Sequence, residues 1–194
     1  MAKKLPNEGK NKLLKGVFYD SPVEGLEYKT QSVSGLTGAG GIFQYRAGET
    51  VTFSVGGLVL GSIFARKFLT PGDLAMDVGD NVGKLRGMRV TGLARFIQSL
   101  DSGGNIEDGI VISEKTREIV GKYRYDISFD QPEEAFTGDP PVKALFAELG
   151  RRLRTPAEAR NHLRRTLLGI KKMTDVKVPT RDGSYLMANV FRPI

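Results

Sequence analysis

Between Gly16 and Gly61 the chain breaks into short β-type runs set so close together that no crossover helix fits between them. The clearest run is Thr50 to Val55, which alternates strictly. Val51, Phe53 and Val55 take one face, and Thr50, Thr52 and Ser54 the other, the period-2 pattern of a half-buried strand. Gly56-Gly57 then turns the chain into Leu58-Val59-Leu60 as a hairpin. Upstream, Val17-Phe18-Tyr19 reads as a strand, Asp20-Ser21-Pro22 as a turn, and Leu26 to Ser32 as a second run. GLTGAGG, Gly35 to Gly41, reads as a turn rich in residues that tolerate positive φ, and Ile42 to Tyr45 follows before the turn Ala47-Gly48-Glu49. Parallel strands need long crossovers, so the spacing demands antiparallel pairing in a sandwich or small barrel.

The middle of the chain changes period. TPGD, Thr70 to Asp73, offers a capping threonine, a proline at the first helical position and a carboxylate at the third. Val90, Leu93, Ala94, Ile97 and Leu100 form one apolar helical stripe, stopped by Asp101-Ser102-Gly103-Gly104. Ile110-Val111-Ile112 fits a strand, and Ser113 can cap a short helix through Val120. Asp130 to Pro141, with three prolines and four acids, reads as a linker. Val142, Leu145, Phe146, Leu149 and Leu153 form another stripe. TPAE, Thr155 to Glu158, opens a last helix with Ala159, Leu163 and Leu167 on one side and Arg160 and Arg164 on the other.

The formal charge of +7 is local. Eight basic residues lie between Arg151 and Lys172 against the single acid Glu158, and elsewhere 21 basic residues balance 21 acidic ones. A neutral body with one basic helix, no tryptophan and few aromatics argues against a nucleic-acid partner. With no cysteine in the chain, disulfides, thiolate metal sites and a thiol nucleophile are excluded. No apolar run suits a signal peptide or a membrane span.

Candidate chemistry is sparse. The one histidine, His162, sits beside Leu163 among arginines and reads as a surface or boundary residue. There is no G-x-S-x-G elbow and no Walker loop. In LDSGGNIEDGI, Leu100 to Ile110, Asp101, Asn105 and Asp108 suggest a calcium loop. Gly103, Ile106 and Ile112 occupy positions where that loop requires a ligand, a glycine and a glutamate, so a helix C-cap followed by an Asx-type turn accounts better for the pattern. No residue is assigned to catalysis, cofactor binding or metal binding.

Two resemblances extend this reading. FYDSPVEGLEY, GIFQYRAGETVTFSVGGLVLG, LTPGDL and LARFIQSLDSGGNIEDGIVIS, within Val17 to Val120, resemble a domain near the start of many bacterial envelope proteins and lipoproteins. Its β half is similar to prealbumin-like modules such as the Cna-B and carboxypeptidase regulatory domains, though Gly38 stands where such turns commonly carry an aspartate. MTDVKVPTRDGSYLMANVFRPI resembles the first hairpin of the cocaine esterase / X-Pro dipeptidyl-peptidase-like (CocE/NonD) family of serine hydrolases. The resemblance rests on Val176–Val178, Arg181-Asp182-Gly183, Leu186–Val190 and Arg192-Pro193, and covers 22 residues. It implies an α/β-hydrolase with a Ser-Asp-His triad, none of whose members has a counterpart in this chain.

The expectation is therefore an α+β chain: an antiparallel β-sandwich (prealbumin/Ig-like) with packed helices, then a helical linker and a terminal β-hairpin. Residues 1–15 form a disordered lead-in, 16–125 a β-rich accessory domain with helices, 126–172 a linker with basic helices, and 173–194 the first hairpin of a truncated hydrolase domain. The expected function is that of a non-catalytic accessory region whose partner is the missing hydrolase domain in cis. The alternative is a stand-alone bacterial envelope binding or interaction module. The first resemblance implies the envelope or secretion, with the cytoplasm as the alternative.

Overall fold

A computed structural model describes residues 12–75, 83–180 and 184–193. Eight strands come first: β1 (Leu14–Phe18), β2 (Val23–Glu24), β3 (Glu27–Lys29), β4 (Ser34–Leu36), β5 (Ile42–Tyr45), β6 (Thr50–Val55), β7 (Leu58–Phe64) and β8 (Phe68–Leu69). Helices α1 (Pro71–Leu74) and α2 (Gly83–Ser99) follow, then β9 (Ile110–Val111). Helices α3 (Glu114–Lys122), α4 (Glu133–Gly138), α5 (Pro140–Glu148) and α6 (Pro156–Leu167) lead to the closing strands β10 (Ile170–Pro179) and β11 (Tyr185–Pro193). The fold is α+β, with mainly antiparallel sheets in a sandwich-like arrangement.

One sheet has the order β4-β3-β6-β7, antiparallel throughout. The other is β5-β1-β8, in which β1 pairs antiparallel with β5 and parallel with β8. Alternation in β6 does what its sequence requires: Val51, Phe53 and Val55 are fully buried. Phe53 meets Phe18 at 4.8 Å and Phe43 at 5.3 Å between ring centroids, which locks the two sheets face to face. Gly56 makes the β6–β7 turn at φ 56°, with a Cβ position only 2.1 Å from the Arg117 carbonyl. Both backbone conformation and space therefore require glycine there.

Three expectations change. GLTGAGG is not all turn, because its first residues complete β4, which pairs with β3. The buried Thr37 then donates to the Val23 carbonyl at 2.6 Å and accepts from the Leu26 N–H at 2.9 Å. The α2 stripe is not a stripe, since every residue from Thr91 to Leu100 is buried. Leu93, Phe96, Ile97 and Leu100 join the core shared with the β strands, the helix also packs against α4 and α6, and Phe96 meets Phe129 and Phe146 at 5.2 and 6.1 Å.

The third change concerns Asp130 to Pro141, which is no linker. Pro132 caps α4 and Pro140 starts α5, while Glu133 and Glu134 complement the first turn of α4. Phe136, Val142, Leu145 and Phe146 join the same apolar core as the sandwich. Arg95 of α2, only 1% exposed, ties this region down by donating to the carbonyls of Arg154 (2.7 Å) and Glu133 (3.3 Å) and to Thr137 Oγ1 (3.0 Å).

Strands β10 and β11 form a two-stranded sheet of their own, with a register shift between Met173 and Val176. Among the described residues they pair only with each other, and β10 follows directly on α6. Arg181-Asp182-Gly183 lies outside the described residues, as do residues 1–11 of the expected lead-in, whereas its Leu14 and Lys15 pair with β5 as the start of β1.

Candidate functional site

The chemistry-bearing groups converge at one seam, where α6 meets the β1–β2 turn, α2 and the loop before β9. The capping box of Thr155 and Glu158 starts α6, with Pro156 at its first position. Arg152 grips Glu158 through two bonds of 2.7 and 2.6 Å, which holds that carboxyl down to about 2. From this start the helix turns Ala159, His162, Leu163 and Thr166 inward. Leu167, expected on the buried side, is 59% exposed. His162, expected at the surface or its boundary, is fully buried.

The ring of His162 lies between a hydroxyl and a carboxylate. Its Nε2 is 3.1 Å from Ser21 Oγ and 3.5 Å from Thr166 Oγ1, and its Nδ1 is 3.3 Å from Glu107 Oε1. Glu107 also accepts from Arg165 at 2.6 Å. Asp20 is fully buried beside them, with Oδ1 4.0 Å from His162 Nε2. Its carboxyl accepts from Gln98 Nε2 at 3.0 and 3.2 Å, and the same amide reaches the Ala159 carbonyl at 3.2 Å. Gln98 Oε1, also buried, has no donor among the described residues.

Burial decides the protonation of this cluster. Desolvation pushes the Asp20 carboxyl up to about 7, against the Gln98 amide and the charge of Arg154. It pushes His162 down from 6.5, against Glu107, with Arg165 and Arg154 acting in the same direction as burial. A neutral ring that accepts at Nε2 and donates from Nδ1 to Glu107 satisfies both contacts.

Ser21, His162 and Glu107 thus stand in the order and contacts of a hydrolytic triad. Ser21 also carries φ 56°, the one non-glycine residue in that region among those described. Access is what the arrangement lacks. Ser21 is 5% exposed, and it sits in a turn packed under α6. The apolar cleft of about 410 Å³ on α6 is lined by Arg160, Leu163, Arg164, Leu167 and Leu168, on the side of the helix away from His162. The cluster is a polar tie inside the fold.

The other sequence candidates resolve separately. Asp101 Oδ1 accepts the N–H groups of Gly103 and Val111, both at 2.9 Å, and Oδ2 accepts that of Gly104 at 2.8 Å. Asn105 Oδ1 accepts from Glu107 N at 3.2 Å, so these oxygens serve the loop's own backbone as an Asx-type turn does. Among the described residues no group of three or more His, Asp and Glu is placed to hold a metal ion. Four of the eight basic residues are engaged: Arg151 donates to the Leu100 carbonyl and Ser102, Arg152 pairs with Glu158, Arg160 with Glu133, and Arg165 with Glu107.

Sequence reasoning missed Asp20, Ser21, Gln98 and Glu107. Ser21 and His162 are 141 positions apart, and no spacing rule joins them. A weak signal existed in Glu107, one residue from the Asp108 that the calcium pattern singled out. Among the described residues no helix is long and apolar enough to cross a membrane. Comparison with protein-family models, with curated proteins and with solved structures returns no match.

Proposed function

We propose that this chain is the non-catalytic accessory region of a serine hydrolase acting on ester or amide bonds, CocE/NonD-like. The β-rich body and its helices serve as a support, and β10–β11 is the opening hairpin of the hydrolase sheet. One observation carries this reading. The hairpin pairs with no other strand among the described residues, and Val178, Leu186 and Met187 are 39%, 61% and 59% exposed. A two-stranded hairpin with free edges is marginal in water and suited to extension by further strands. The Arg-Asp-Gly and Arg-Pro punctuation of its sequence names the kind of sheet expected. The same free edges favour a second reading, an envelope interaction module whose hairpin adds to a partner's sheet.

The test is the reading frame after the Ile194 codon, followed by expression of the extended chain. A frame that continues into a G-x-S-x-G segment, with hydrolysis of activated short-chain esters lost on replacing that serine by alanine, is the expected outcome. A stop codon at that point overturns the hydrolase reading in favour of the interaction module.

A further inference from the structure

We propose that Asp20 and His162 form a proton-exchanging pair that holds α6, and the hairpin it carries, on the β-rich body. Docked, the pair's one proton sits on Asp20 and the imidazole is neutral; undocked, the proton sits on His162. The device makes docking insensitive to pH over a range in which either residue alone would make it a switch. It does not depend on what the hairpin docks against.

The geometry is specific. Direct apolar attachment of α6 is thin, with Ala159 and Leu163 set against Ala94 and Val90 of α2. The remaining ties are polar: Arg160 pairs with Glu133 of α4, the Gln98 amide reaches the Ala159 carbonyl, and the others meet at His162. The β1–β2 turn contributes Asp20 and Ser21, and α2 contributes the uncharged Gln98. The loop before β9 contributes Glu107, the segment before α6 contributes Arg154, and α6 itself adds Arg165 and Thr166. Docked, Nε2 accepts from Ser21 and faces the Asp20 carboxyl at 4.0 Å, so an ionised Asp20 would confront a lone pair inside the fold. A protonated Asp20 avoids that. Gln98, whose amide already holds both Asp20 oxygens, also carries a buried Oε1 that has no donor among the described residues. Once α6 lifts away, both groups regain water, and the proton passes to the stronger base, the imidazole.

The two titrations oppose each other. Asp20 is raised from 3.8 to about 7 on docking, so its contribution is fully present below about 4 and is lost as pH rises to about 7. His162 is lowered from 6.5, so its contribution is present above 6.5 and is lost as pH falls. Where both act, undocking moves a proton within the pair and takes up none from solution.

Amide hydrogen exchange of α6 in the full chain, corrected for intrinsic rates, reads the opening constant between pH 4.5 and 8. In His162→Gln, opening should rise with pH by up to about tenfold per unit until about pH 7. In Asp20→Asn it should rise as pH falls below 6.5 and stay level above. Wild type should lie between, nearly level. Equal slopes in all three proteins overturn the proposal. If either variant fails to fold, carboxyl-carbon and imidazole NMR of the wild type decides. A protonated Asp20 beside a neutral His162 at pH 6 supports the pair, and an ionised Asp20 beside a protonated His162 refutes it.

Discussion

Removing residues 173–194 should leave the body of this protein standing, and the size of the effect can be worked from the hairpin's surroundings. Its strands pair only with each other among the described residues, and β10 leaves α6 after two intervening residues. Tyr185, Leu186 and Met187 are 63%, 61% and 59% exposed, and Val178 is 39% exposed. Most of the shielding they do have comes from the facing strand, as in the pairs Val178–Leu186 and Lys177–Met187, and disappears together with the chain entropy of ordering that strand. Among the described residues, neither apolar cluster of the body includes a residue of 173–194, so the body's own core stays intact. A fully buried apolar residue is worth roughly 1.5–3 kcal/mol, and a loss of less than one such residue is about 1 kcal/mol. For a chain of this size that is a Tm change of about 2–4 °C. Differential scanning fluorimetry of the full and shortened chains measures it, and light scattering should show less aggregation in the shortened one. A fall in Tm beyond about 10 °C, or failure to fold, would refute the reasoning by showing that the hairpin is built into the body.

Other perturbations test the remaining parts. Phe136→Ala should cost about 3–5 kcal/mol in urea denaturation, because the ring is buried against Phe129 and Arg95; a loss below about 1 kcal/mol would return this segment to linker status. Asp101→Ala should lower stability by about 1–2 kcal/mol through the three backbone donors it strands, and calcium should leave the wild-type Tm unchanged. A rise of several degrees with calcium that this variant abolishes would establish a cation site there. A fluorophosphonate probe should fail to label the intact protein, since Ser21 is closed to solvent; labelling that Ser21→Ala removes would make the buried triad a working one.

Local rules carried far in this chain. The alternation of Thr50 to Val55, the Gly56-Gly57 turn, and the capping boxes at Thr70 and Thr155 all stand where the sequence puts them, because each depends on bonds within a few residues. Ser113 likewise accepts from Thr116 N to start α3. The error over Asp130 to Pro141 came from reading prolines as breakers, when two of them sit at helix starts, where a missing N–H costs nothing.

By itself, then, the sequence determined the α+β class, the sandwich-like antiparallel arrangement, the capped starts of α1, α3 and α6, and a terminal hairpin. Tertiary structure alone decided that His162 is buried, that Leu167 is not, and that Glu107 rather than Asp108 faces the ring. Periodicity predicts that one side of α6 is covered, but what covers it is a turn more than a hundred residues away. That turn brings a carboxyl group and a hydroxyl, so the helix settles with its histidine inward. Burying a polar group is tolerable only when its partners arrive with it, and partners brought by the fold leave no mark on local spacing.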